Sequence, residues 1–294
     1  MKRILALLIG LIITVTSSNA GEINSELLNN ASKKISEFTS NLIPGEGYSE
    51  VSIDLRENSS PDFSILGVRE IKPIEDGAVF AQFSLFNTEA NTGSGGDERY
   101  IGNIGFGQRK LLNNNTLMVG VNSFFDLDIE NEHKRGSVGI EIRNAVVDFN
   151  LNNYVALADN ETENVLDGYE YQLSSQIPYL HWANVYANSY SWEGESRDDV
   201  TGLKLGSEMA LTSNLNFEFA YDDKDKKGLS DEWYYKLQFV HPPRENGPTA
   251  MNDGVSDTAW NENRDMSGEL LSKVKRQNKI MVEFKGSSQV TRTD

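Results

Sequence analysis

The chain contains no cysteine. Disulfide staples and thiolate metal sites are therefore excluded. Histidine is nearly missing: His133, His181 and His241 are the only three, and no two stand at metal-ligand spacing. Cations are short as well, with 27 Lys and Arg against 44 Asp and Glu and a net charge of -17. That deficit argues against a nucleic-acid partner and against peripheral docking on anionic lipid heads. No GxSxG or HExxH signature occurs, so neither an enzyme nor a cofactor is expected. Beyond residue 20 no stretch approaches the roughly 20 apolar residues of a membrane helix. Seven Pro and 24 Gly imply many turns without low complexity.

The N-terminus carries a distinct signal. Lys2 and Arg3 precede the apolar run Ile4 to Val15, and Ser18-Asn19-Ala20 offers small residues for cleavage. This pattern predicts a signal peptide over 1–20 and export from the cytoplasm. Residues 21–47 read as a lead-in segment, with Leu27, Leu28, Ala31, Ile35 and Phe38 near one helical face.

From Tyr48 onward the dominant period is two. In Arg99 to Asp128, Ile104 and Phe106 share one face, and Asn103, Gly105, Gly107 and Arg109 share the other. After a polar turn at Asn113 to Asn115, Leu117, Val119, Val121 and Phe125 oppose Gly120, Asn122 and Asp126. Side chains of a strand alternate between faces, so this is a hairpin with one apolar and one polar side. Similar runs recur to Val240 and predict about twelve strands. Tight turns alternate with longer polar loops, the topology of an outer-membrane barrel. Glu57 to Asp62 reads as one of the outer loops, and Glu70 to Asp76 as an overlong turn.

A soluble sandwich or lipocalin-like barrel also alternates. The polar face favours the membrane alternative, because Gly105, Gly107, Gly120, Gly139 and Gly206 sit there among single charges of both signs. Small residues beside lone charges suit a crowded, wet interior. Tyr100, Phe125, Tyr221 and Trp233 near strand ends suit interfacial girdles. Asp223 to Gly228 superficially matches a calcium loop, but Lys227 and Tyr234 occupy ligand positions, so it reads as a charged outer loop. Past Pro242-Pro243, Ser267 is placed to cap a short helix carrying Leu270, Leu271 and Val274.

Several ordered motifs carry a family resemblance. They are Asn103 to Arg109, Gly120 to Asp126, His133 to Glu141, Asn153-Tyr154, Asp167 to Glu170, and the tail Val274 to Lys285. Together they resemble the β-domain of the intimin/invasin inverse autotransporters. The resemblance implies an all-β fold: a transmembrane antiparallel barrel of about twelve strands over 48–243, with a partly helical linker over 244–279 threading the lumen. It implies a translocator of inverse type V secretion in the bacterial outer membrane, whose passengers of immunoglobulin-like domains adhere to host cells or other surfaces.

On this reading Asn103, Gly105, Gly107, Arg109, Gly120, Asn122, Glu141, Arg143, Lys204 and Glu208 face the linker, the glycines giving it clearance. Leu270, Leu271, Val274, Arg276 and Asn278 are its pore residues. Residues 280–294 form a short exit segment, and the expectation is a barrel without its adhesin passenger. The implied partners are outer-membrane lipid, the barrel-assembly machinery, periplasmic chaperones and an unidentified surface or host ligand. The alternative is a small plugged porin or a loop-displaying surface protein.

Overall fold

A computed structural model describes residues 45–57, 59–89, 98–195, 197–225, 231–245 and 247–285. The signal peptide, the lead-in as far as residue 44, part of the calcium-like loop and the exit segment beyond 285 lie outside these residues.

The alternating runs form β1 (Gly47–Arg56), β2 (Ser59–Ile74), β3 (Gly77–Glu89), β4 (Glu98–Leu112), β5 (Leu117–Asp128), β6 (Lys134–Asn144) and β7 (Val147–Ala158). A three-residue strand, β8 (Glu163–Val165), precedes β9 (Gly168–Ile177), β10 (Leu180–Trp192), β11 (Val200–Ala210), β12 (Leu215–Asp225) and β13 (Glu232–His241). Twelve of these, all but β8, close into one antiparallel barrel in chain order. Closure is made by β1 against β13, with Ile53 opposite Leu237. Closing the sheet removes the edges that would expose unpaired backbone to lipid.

One end of the barrel carries tight turns. Asp76, Asn113, Asn114, Asn115 and Tyr179 adopt left-handed backbone there. Asn and Asp tolerate that region best, which explains the Asn113 to Asn115 turn. The opposite end carries the longer connections. β2 overturns two boundary expectations. It begins at Ser59, so little of Glu57 to Asp62 is loop. It also runs on to Ile74, past a register shift between Glu70 and Lys72. A bulge inserts one residue and breaks the period, so the alternation is lost although pairing continues.

Exposure is inverted relative to a soluble protein. Phe106, Val121 and Val138 are 56%, 57% and 59% exposed, while Arg109, Asp126 and Arg135 are fully buried. The apolar face therefore points outward, around the whole barrel, and the charges point into the lumen. Tyr221 and Trp233 pack ring to ring at 5.1 Å on the outer wall near the long-loop end, as an interfacial girdle would. This polarity sets a first prediction. Ile140→Arg, on the outer face of β6, should cost about 2–4 kcal/mol of folding free energy in lipid vesicles. Urea titration against Ile140→Leu measures it, and an equal stability of the two would reverse the face assignment.

Candidate functional site

The candidate site is the lumen and the chain that fills it. After β13 the backbone follows the tight-turn rim. Arg244 N–H donates to Ser213 O at 2.9 Å, Met251 N–H to Leu211 O at 3.2 Å and Ser256 N–H to Tyr179 O at 2.8 Å. A short helix, α1 (Ala250–Asp253), is capped by Thr249 within this belt. Met266 N–H then donates to Asn115 O at 2.8 Å, and the chain turns into the lumen. Asp265 caps the entry turn, accepting from Ser267 N–H at 2.7 Å. That bond holds its carboxyl below the usual range.

The helix expected after Ser267 is one 3-10 turn, Ser267–Glu269. From Leu270 to Met281 no helix or strand forms. The spacing of Leu270, Leu271 and Val274 suits a helix, but a helix would satisfy its own backbone. Here the wall supplies the partners instead, and buried backbone groups must find them somewhere. Arg109 donates to Leu270 O at 2.9 Å and also to Ser272 O. Gln82 Oε1 accepts from Val274 N–H at 2.8 Å. Asn152 donates to Lys275 O at 2.9 Å. Arg135 donates to Gln277 O at 2.7 Å and to Lys279 O at 2.8 Å.

The linker side chains alternate between apolar seats and ion pairs. Val274 and Leu271 pack with Leu66, Val68, Phe80 and Phe124. Lys273 meets Glu50 at 3.1 Å, and Lys275 meets Glu208 at 2.8 Å and Asp148 at 3.3 Å. The densest contact is Arg276. Both Asp126 oxygens accept from it, at 2.9 and 2.7 Å, and Arg135 shares the same carboxylate at 2.8 Å. Higher up, Lys279 pairs with Asp62 at 2.5 Å, and Ile280 packs on Phe86, Ile101 and Val165. The chain leaves at the long-loop end as β14 (Val282–Phe284), paired antiparallel with β8.

The residues expected at this interface divide into four groups. Asn103, Arg109, Arg143 and Glu208 bond the linker directly, at Asn278 O, Leu270 O, Ser272 Oγ and Lys275 Nζ respectively. Asn122 and Glu141 bond wall residues, with Asn122 and Arg109 both donating to Glu141. Lys204 lies over the Tyr234 ring at 5.6 Å and bonds no linker residue among the described residues. The glycines need correction. A Cβ on Gly105 would lie 2.3 Å from the Phe124 ring, and one on Gly107 2.4 Å from the Phe80 ring. One on Gly120 would press on Arg109 and Glu141. They make room for side chains from adjacent strands, of which Phe80, Phe124 and Arg109 touch the linker.

Gln82, Asp126, Arg135 and Asn152 carry contacts that sequence reasoning did not assign. Strand parity places each toward the lumen, but parity does not say which inward residue reaches the axis. Lys273 and Lys275 were hidden by the helical reading of their segment. Among the described residues no cluster of three or more His, Asp or Glu is placed to hold a metal ion.

The family profile described as inverse autotransporter, beta-domain matches residues 13–278. The chain belongs to the inverse autotransporter β-domain family. The inverse autotransporter adhesin YeeJ of Escherichia coli (strain K12) is 25% identical over 230 residues, covering 71% of this chain and 9% of that protein. The chain thus spans a small part of the length of that relative. A solved structure reported in a study of in-meso crystallization of membrane proteins superposes with a TM-score of 0.60 at 16% identity. It covers 81% of this chain and all of that one, a likeness of fold. As an inverse autotransporter β-domain, the chain is an outer-membrane barrel, and its family is not one of enzymes.

Proposed function

We propose that this β-domain is a translocator that carries its own downstream chain across the outer membrane and then holds it there. The observation that supports the reading is the path of 266–285, which enters at the tight-turn end and leaves through the long-loop end paired with β8. In outer-membrane barrels the short turns face the periplasm and the long loops face outward. The path therefore delivers residue 285 and whatever follows it to the cell surface. The lumen bonds fix the chain after passage, so transport ends in a surface anchor. A cleaved signal peptide over 1–20 brings the chain to the periplasm. Periplasmic chaperones and the barrel-assembly machinery then place it in lipid. A surface or host ligand would be met by the emerging segment or by the outer loops.

An epitope inserted after Lys285 tests the direction. It should be reached by antibody on intact cells. Staining only after the outer membrane is permeabilised would overturn the reading.

A further inference from the structure

We propose that the periplasmic belt, residues 250–260, is a membrane-interface foot that inserts into the zwitterionic phospholipid of the inner leaflet. The inference requires only an outer-membrane barrel, so it stands or falls apart from the translocator reading.

Among the described residues, nothing covers the large apolar side chains that the belt exposes. Met251 is 80% exposed and Val255 76% exposed, the two most exposed large hydrophobics among the described residues. Trp260 is also exposed, beside Leu117 and Val146 in a shallow groove at the tight-turn rim. The belt does not float. Tyr179 N–H donates to Ala259 O at 3.0 Å, and Trp182 Nε1 donates to Gly254 O at 2.6 Å. These bonds fix it against the turn between β9 and β10.

What covers the belt follows from continuity. The lipid-facing wall reaches the same rim through Ile71, Leu112, Val147 and Tyr179, all exposed. The apolar belt residues extend that band by one layer, at the level where Trp and Tyr favour the boundary between acyl chains and headgroups. Charge narrows the lipid. Asp253, Asp257 and Glu262 lie in or beside the belt, and no Lys or Arg stands between Arg244 and Arg264. Anionic heads are not attracted there, so apolar insertion among zwitterionic heads is the driving force.

The absence of cysteine allows a clean test. A single Val255→Cys in the full chain is labelled with an environment-sensitive fluorophore, and Asn252→Cys serves as the polar comparison. Both are folded into phosphatidylcholine vesicles, with heat-modifiable gel mobility confirming the barrel. The label at 255 should emit further to the blue than the label at 252. It should also be quenched more strongly by phosphatidylcholine spin-labelled near the head. Adding phosphatidylglycerol should leave both differences unchanged or smaller. Should Val255→Cys not fold, Met251→Cys carries the same expectation. Water-like emission and equal quenching at both positions would overturn the proposal and leave this face to a periplasmic partner. Insertion that requires phosphatidylglycerol would overturn it as well.

Discussion

Asp126→Ala should release the linker while leaving the barrel strands paired. Asp126 is fully buried and accepts from Arg276, Arg135 and Asn103. Its carboxylate separates two buried guanidinium groups, one on the wall and one on the linker. Arg276 stacks over Phe124 at 4.3 Å and Arg135 over Tyr154 at 4.4 Å, so neither swings readily toward water. Removing the shared anion leaves two cations facing each other in a desolvated space. Losing one partner of a buried pair costs about 3–5 kcal/mol, most of it from the uncompensated charge. The linker is the movable partner, so the cost should appear there. Trypsin should cut after Lys275 or Arg276 in the variant and spare both in the parent. Asp126→Asn keeps shape without charge and should fall between them. The pair Asp126→Ala with Arg276→Ala should recover part of the loss, because the interaction removed is shared. Unchanged protection of the linker in Asp126→Ala would show that the apolar seats and the remaining wall bonds and ion pairs hold it without this carboxylate.

Much of this architecture is legible in the sequence, because a barrel strand has only two faces and each is solvated differently. The hairpin from Arg99 to Asp128 declares its period, its turn and its lumen side at once. What the period does not carry is reach. Asn122 and Arg109 share the lumen face, yet Asn122 bonds the wall and Arg109 bonds the linker. The difference lies in side-chain length and in the stagger between tilted neighbours, which a one-strand pattern omits. Gly107 shows the same limit. Its missing side chain was legible, whereas its occupant, Phe80, comes from the neighbouring strand β3 and becomes visible only with the register. Bulges hide structure differently, since β2 loses its alternation at Glu70 while pairing to Ile74. The pairing of β8 with β14 was beyond reach, because the three residues of β8 carry too little period to mark it as a strand.

Removing residues 267–294 should turn the plugged barrel into an open, cation-preferring pore. None of the twelve barrel strands lies in that segment, so the closed sheet does not depend on it. The belt also survives, because its rim bonds end with Met266 to Asn115. Beside the seated linker the lumen holds a cavity of about 240 Å³, lined by charges of both signs. The balance depends on the linker. Lys273, Lys275, Arg276 and Lys279 neutralise Glu50, Glu208, Asp148, Asp126 and Asp62. Deletion takes the cations and leaves the carboxylates on the wall. Charged rings in a wet pore set its ion preference, so an acidic excess should favour cations. In planar bilayers the full chain should pass little current. The deleted form should give steady open steps, with a reversal potential that favours potassium over chloride in a salt gradient. Substituting alanine for only the four linker cations should shift selectivity the same way with a much smaller rise in current, since the backbone still fills the lumen. A deleted barrel that stayed closed would mean that inward wall side chains, not the linker, form the plug. An open pore that preferred chloride would show that Arg69, Arg109, Arg135 and Arg143 outweigh the uncovered acids.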